Sequence, residues 1–521
     1  MGVRIPPRAL HKIMTYKIPR EVLEVLDRMS EKDFSAYLVG GCVRDVLRGV
    51  EPKDWDITTD ATPEEIQKIF NNTFYENNFG TVGVVTDSKK PSLKIIEITP
   101  HRTEARYTDK RHPDIVNFTD KLEDDLKRRD FTVNAIAMSV SPAVYSYSEE
   151  TRMGAKEKGE VGSELVEIVD LFNGQEDLKQ KILRCVGNPE DRFEEDALRM
   201  LRAVRFSAEL DFKIEKNTAL AIKEKANLIK IVSKERIRDE FTKIILSNKP
   251  HNYINKLQGL GLLKCIIPEL EEGLNVTQNK EHIYAVWEHN LRALGHAVEK
   301  NFSLEIRMAS LFHDVGKPRA KRGEGPDSIF YNHEVIGARM TAQVLSRLRY
   351  PKKFIEKVVL LVRWHLFFSD TEIITLSAVR RLIRNVGPEN IWDLMKVRFC
   401  DRIGMGRPKE EPYRLRKYES MVEEALRDPL SVSSLKIDGE KIMKVAKIEP
   451  GPKVGYILHA LLEEILDDPL LNTEEYLKKR TTELAKLSSE EIQKMGESGK
   501  KKKEEEEAKK VGEIRKKYGV R

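Results

Sequence analysis

The stretch that most constrains this chain is Leu38-Val39-Gly40-Gly41-Cys42-Val43-Arg44-Asp45, followed closely by Asp54-Trp55-Asp56-Ile57-Thr58-Thr59. An apolar run ending in two glycines leaves backbone N–H groups free to face a phosphate, so Gly40 and Gly41 can seat a triphosphate. Aspartates two apart on an extended strand point the same way, because side chains alternate across a strand. Asp54 and Asp56 are then placed to hold hard, oxygen-seeking cations such as Mg²⁺. Alone, each half is an ordinary turn or loop. Together and in this order, with Arg44-Asp45 between them, they are much more specific.

This combination resembles the class II tRNA nucleotidyltransferase and bacterial poly(A) polymerase family. The resemblance implies an α/β head, a mixed sheet with helices, followed by a mostly α-helical neck, an HD domain and a tail. It also implies template-independent nucleotide addition to the 3′ end of tRNA. ATP and CTP would be the substrates, Mg²⁺ the head cofactor, and Arg44 would join the glycines at the nucleotide.

Around the opening motif, apolar residues at helical spacing predict a helix over 19–30 and a strand over Ala36–Val39. Thr62-Pro63 predicts a helix start before 64–70, and strands follow at 81–86 and 93–99. Glu97 stands among isoleucines, where an acid is seldom buried without a partner or a metal, and the family resemblance makes it the third carboxylate of the site. Residues 102–113 are charged and interrupted by proline, as expected of a loop. Arg128 and Arg129 precede an apolar run, and paired guanidiniums suit a triphosphate. The string from Leu122 to Ala137 resembles the family's second motif, which implies nucleotide contact by Arg129, Asp130 and Asn134. Residues 141–164 lack periodicity and read as an inserted loop before a strand at 165–171.

Residues 192–206 are helical in composition, which makes Asp196 and Arg199 neighbours on one face. An ordinary ion pair is one reading. The other is base selection, since cytosine and adenine both show an exocyclic amine beside a ring-nitrogen acceptor, a pattern that a carboxylate and a guanidinium complement. Glu195-Asp196-Ala197-Leu198-Arg199 resembles the family's templating motif, which implies base reading by Asp196 and Arg199 with Arg202 beside them. Lys234–Glu240 resembles its last core motif, with Glu235 and Arg236 as structural ion-pair formers.

Beyond Gly273 histidines cluster. His289, His313-Asp314 and Asp401, in that order, resemble the HD superfamily of metal-dependent phosphohydrolases, with His333 and His365 where two-metal members place further histidines. Imidazole with carboxylate suits a divalent or transition metal of unspecified identity. Lys317 is either a phosphate contact or a helix-end cap. In the tail, Gly451-Pro452-Lys453 at a helix start is a candidate phosphate seat, making Lys453 an RNA-binding candidate.

The pattern breaks divide the chain into a helical lead-in (1–32), the head (33–175), the neck (176–272), the HD domain (273–405), a helical tRNA-binding tail (406–490) and a charged low-complexity end (491–521). Four cysteines, Cys42, Cys185, Cys265 and Cys400, lie too far apart for a zinc ribbon and read as reduced structural residues. With a net charge of only +6, any nucleic-acid surface must be local. No run of about 18 apolar residues is long enough for a bilayer, and Met1–Arg20 lacks a signal-peptide core, so a cytoplasmic location and no membrane partner are expected. The alternatives left open are an A-adding-only tRNA enzyme, a poly(A) polymerase, or an RNA-binding HD phosphodiesterase with an inactive head.

Overall fold

The computed structural model describes residues 14–75, 80–105, 115–140, 163–279, 283–367, 374–426, 435–467, 469–488, 490–492, 494–495 and 511–520. The head is built on strands β1 (Met14–Lys17), β2 (Ala36–Val39), β3 (Asp56–Thr59), β4 (Thr73–Tyr75), β5 (Val82–Val85) and β6 (Ile95–Pro100). A hairpin, β7 (Arg102–Ala105) and β8 (Ile115–Phe118), precedes β9 (Ile136–Val140) and β10 (Ser163–Asp170). Eight of these strands form one sheet in the order β1-β10-β9-β2-β3-β6-β5-β4. Within this sheet, among the described residues, only β3 and β6 run parallel, and their register sets Asp56 opposite Glu97.

Helix α1 (Arg20–Ser30) buries Val22, Val25, Leu26 and Met29, the stripe that its sequence spacing predicts. Helix α2 (Gly41–Leu47) leaves β2 directly after Gly40. Helix α3 (Pro63–Ile69) starts with a Thr62/Glu65 capping box and a proline in its first turn, as its sequence predicts. The short helix α4 (Leu122–Lys127) ends at Arg128.

Several boundaries differ from expectation. Residues 14–32 are not a separate lead-in, because β1 pairs with β10 and α1 contributes to the head core. Ser163 and Glu164 belong to β10 through pairing with β1, rather than to an inserted loop, and residues 141–162 lie outside the described residues. The expected loop at 102–113 begins as strand β7, hydrogen-bonded to β8, and residues 106–113 lie outside the described residues.

The rest is helical. The neck contributes α5 (Pro189–Glu195), α6 (Leu198–Leu210) and α7 (Lys234–Leu246). Next come α8 (Val286–Glu299), α9 (Leu304–Phe312), α10 (His333–Arg347), α11 (Lys352–Trp364), α12 (Ile391–Gly404) and α13 (Tyr413–Leu426). One apolar core runs from Phe131 to Val422, so neck and HD region are packed as one body and α13 belongs to it rather than to the tail. A separate core, from Leu435 to Ile492, holds α14 (Pro452–Asp467) and α15 (Glu474–Leu484). The charged end is not wholly solvated. Residues 511–520 lie against α13, with Ile514 buried and Lys517 paired to Glu423 at 2.7 Å. Cys42, Cys185 and Cys400 are buried free thiols and Cys265 is half-buried.

Candidate functional site

The head cleft is built from the β2–α2 turn. Gly40 has φ 81°, a region that side chains resist. A Cβ there would stand 3.0 Å from Arg129 Nη1 and 3.5 Å from Asp56 Oδ2. A Cβ on Gly41 would stand 3.9 Å from Asp54 Oδ1. The two glycines therefore let the backbone pass directly against both carboxylates and Arg129. Asp54 is not on the strand, as its spacing suggests. It sits in the bend before β3 and is exposed, whereas Asp56 opens β3 and is half-buried. Both still face one cleft of about 830 Å³. Glu97, half-buried, is the parallel register partner of Asp56, so the two side chains leave the same face of the sheet.

Arg44, Asp130, Asn134 and Arg202 line the same cleft. Arg44 donates to Asn134 Oδ1 at 2.8 Å and to both oxygens of Asp45. Asp130 accepts from Arg202 at 2.6 and 2.9 Å. Burial alone would raise the Asp130 pKa, but the Arg202 guanidinium holds it below the usual carboxylate range.

Arg128 and Arg129 diverge. Both donate to the fully buried Asp125, whose pKa burial would raise but whose two guanidiniums bring it down to about 2. Only Arg129 reaches the cleft lining; Arg128 points its guanidinium at Asp125, because adjacent residues closing a helix leave the backbone in different directions. Arg128 therefore lies outside the cleft lining, where its triphosphate contact was expected.

Asp196 and Arg199 do not share a helical face. The helix breaks at Asp196, which has φ −138° and ψ 103°, and α6 begins two residues later. Arg199 donates to the Glu195 carboxylate and to the carbonyls of Arg192 and Arg128. Arg199 sits one turn before Arg202 on α6, Asp196 precedes that helix, and neither residue is part of the cleft lining. The sequence reading missed Arg205 and Phe206, which α6 turns into the cleft. Arg205, Arg202 and Arg44 stand 3.8, 5.3 and 5.7 Å from the Phe206 ring centroid, so three cations surround one aromatic face or edge. The spacing Arg199, Arg202, Arg205-Phe206 was the available signal.

In the HD region all six expected ligands converge. His289 is on α8, His313 and Asp314 follow α9, His333 opens α10, His365 follows α11 and Asp401 is on α12. The donor atoms of His289, His313, Asp314 and Asp401 lie within 4.8 Å of one another, and Asp314, His333 and His365 form a second such group. Asp314 divides between them. Its Oδ2 is 3.0 Å from His289 Nε2, while its Oδ1 is 3.3 Å from His333 Nε2 and 3.4 Å from His365 Nε2. Nδ1 of His313, His333 and His365 bonds the carbonyls of Ser310, Phe330 and Val362 at 2.7–2.8 Å, so each presents Nε2 to the centre. Gly316 permits the tight approach, since a Cβ there would fall 2.2 Å from the His333 carbonyl oxygen.

Burial alone would lower the His313 pKa, yet the Asp314 and Asp401 carboxylates push it up to about 10. A cation seated there takes over the role of that proton. Donor chemistry, burial and convergence fit a metal. Lys317 contributes differently from either expectation: its Nζ is 2.6 Å from Asp314 Oδ2.

Lys453, the tail's RNA-binding candidate, is tied into its own domain. Its Nζ donates to the Ala485 and Leu487 carbonyls at 3.0 and 3.1 Å, closing the C-terminal end of α15 instead of facing solvent for a phosphate. Lys453→Met is therefore expected to destabilise the tail by about 1 kcal/mol and leave RNA affinity unchanged. Thermal melting and filter binding to RNA check the two halves.

Residues 36–184 match the poly A polymerase head domain, residues 211–274 the probable RNA and SrmB-binding site of polymerase A, and residues 281–412 the HD domain. Fold, site and matches define the class, a poly(A)-polymerase-type nucleotidyltransferase head carried with an HD domain. The chain is 42% identical over 246 residues to the CCA-adding enzyme of Ligilactobacillus salivarius, 47% of this chain and 54% of that one. The match thus spans about half the length of that relative. With the CCA-adding enzyme of Lactobacillus delbrueckii subsp. bulgaricus it is 30% identical over 455 residues, 87% of this chain and 95% of the relative. The chain belongs to the CCA-adding enzyme family. The Bacillus stearothermophilus CCA-adding enzyme, solved in complex with CTP, superposes with a TM-score of 0.55 at 26% identity, covering 89% of this chain and 96% of that one. No helix among the described residues is long and apolar enough to cross a membrane.

Proposed function

We propose that this protein completes the 3′ end of tRNA by adding C, C and A from CTP and ATP without a nucleic-acid template, releasing pyrophosphate at each step. The observation that carries this reading is the packing of Gly40 and Gly41 directly against Asp56, Asp54 and Arg129 in one cleft. Asp54 and Asp56, with Glu97 in register beside Asp56, would hold two Mg²⁺ ions, one to lower the pKa of the primer 3′-hydroxyl and the other to hold the leaving pyrophosphate. Gly40, Gly41 and Arg129 position the triphosphate, Arg44 orients Asn134, and Arg202 anchors Asp130. Asp196 and Arg199 select the base from the joint between α5 and α6. The tRNA substrate places the reaction in the cytoplasm.

A second chemistry is favoured by the two donor groups that share Asp314. A divalent or transition metal there supplies activated water for phosphoester hydrolysis. His289, His313, Asp314 and Asp401 hold one ion, and Asp314, His333 and His365 the other.

The deciding experiment offers tRNA lacking its terminus, or ending in CC, to the protein with CTP alone, ATP alone or both. The expected products are two cytidines from CTP, one adenosine on the CC end from ATP, and CCA from both. Addition of ATP alone to any RNA would replace this reading with a poly(A) polymerase, and addition only to the CC end with an A-adding enzyme.

A further inference from the structure

The Asp196 carboxylate is held at an unusual place for a base reader. It stands at the break between α5 and α6, where no helical register fixes its direction. Three hydrogen bonds do so instead. Oδ1 accepts from the Leu198 N–H at 3.0 Å and from Arg236 Nη1 at 3.2 Å, while Oδ2 accepts from Arg236 Nη2 at 2.7 Å. A carboxylate has about four acceptor positions, so roughly one remains for an incoming nucleotide. The guanidinium fork that takes both oxygens is planar and stiff, and it fixes the plane of the carboxylate as well as its charge.

Arg236 comes from α7, and the same helix sends the nearly buried Glu240 to Arg205 Nε at 2.6 Å. One helix thus braces both the joint that carries Asp196 and the part of α6 that lines the cleft. Arg236 itself is absent from the cleft lining.

We propose that Arg236 is a positioning residue for nucleotide choice: it sets the direction in which Asp196 offers its remaining acceptor, so that only a base with an amine at the adenine 6- or cytosine 4-position, beside a ring-nitrogen acceptor, is met. This deepens the reading of the head as a CTP- and ATP-using site and rests on it. Uracil and guanine present a carbonyl at that position, and a fixed acceptor facing an acceptor leaves both without a partner. Freed from the fork, the carboxylate can swing aside and tolerate them.

The test measures initial rates of incorporation of each of the four ribonucleoside triphosphates onto one tRNA by wild type, Arg236→Met and Arg236→Lys, with thermal melting of each protein. Wild type is expected to prefer CTP and ATP over UTP and GTP. Arg236→Met is expected to lose roughly tenfold or more of that preference, about the effect of one well-placed interaction. Arg236→Lys should recover part of it, since a single ammonium cannot grip both oxygens in plane. If both variants lower all four rates alike and keep the ratio, or both fail to fold, Arg236 is only a structural tie and the proposal is overturned. A wild type that transfers no nucleotide would instead overturn the reading of the head, and this proposal with it.

Discussion

Asp56→Asn is expected to abolish nucleotide addition to tRNA, by on the order of a thousandfold or more in rate, while leaving the melting temperature of the protein essentially unchanged. Asp56 opens β3 half-buried, lines the cleft with Asp54 and the glycine turn, and has Glu97 beside it in register. Its backbone belongs to the sheet, and asparagine keeps the shape of the side chain, so the fold loses little. What disappears is one of the charges that gathers hard cations beside the triphosphate. Two neighbouring carboxylates also repel each other without a cation, so neutralising one can stabilise the protein slightly. Activity and stability therefore move apart. Incorporation of labelled CTP onto tRNA lacking its terminus, beside a melting curve, reads both. Addition at near wild-type rate by Asp56→Asn would remove this carboxylate from the chemistry and leave Asp54 and Glu97 as the catalytic carboxylates of the head.

The parts of this site that were legible in the sequence are those whose geometry is local. The Gly40-Gly41 turn follows from an apolar strand meeting two glycines, and its neighbour Asp56 lies at the start of the next central strand. The HD ligands were legible for another reason: ligand identity survives whatever the helix packing, and five helices must bring the same residue types together if a metal is to sit there. Glu97 was half legible. Its type marked it, but only the parallel register of β3 and β6, a contact between residues about forty apart, sets it beside Asp56.

The rest depended on tertiary partners. Composition makes 192–206 look like one helix, and nothing local shows that it breaks at Asp196, where Arg236 supplies a partner forty residues later. With the break, α6 has a new phase, which turns Arg205 and Phe206 into the cleft and leaves Arg199 out of its lining. The contacts of Lys453 were hidden in the same way. Gly-Pro-Lys at a helix start is a sound phosphate seat until the end of α15 folds within reach of its ammonium. Arg128 resembled its neighbour Arg129, and the buried Asp125 binds both, but only Arg129 also reaches the cleft lining.

The HD centre carries the second large effect. Asp314→Asn is expected to strip metal from the chain and to end phosphoester hydrolysis, while CCA addition continues. Asp314 is the only residue common to both donor groups among the described residues, and its two oxygens face different sets of imidazoles. Asparagine has one carbonyl oxygen and no charge, so it cannot bridge two cations and neutralises neither. Losing either outer set alone, by His365→Ala for example, should spare one ion; losing Asp314 should spare none. The substitution has a structural cost as well, because the buried Lys317 ammonium loses its carboxylate and keeps Gln278 and the Phe330 ring as neutral partners. Breaking one side of a buried pair costs about 3–5 kcal/mol, so the apo variant should melt earlier than apo wild type. Metal analysis of the purified proteins, hydrolysis of bis-(p-nitrophenyl) phosphate with added Mn²⁺ or Mg²⁺, and CTP incorporation on tRNA separate these effects. Unchanged metal content and hydrolysis in Asp314→Asn would show that the histidines pack as a buried polar cluster rather than a metal centre. Joint loss of hydrolysis and CCA addition would show that the core shared by neck and HD region, from Phe131 to Val422, transmits damage at one site to the other.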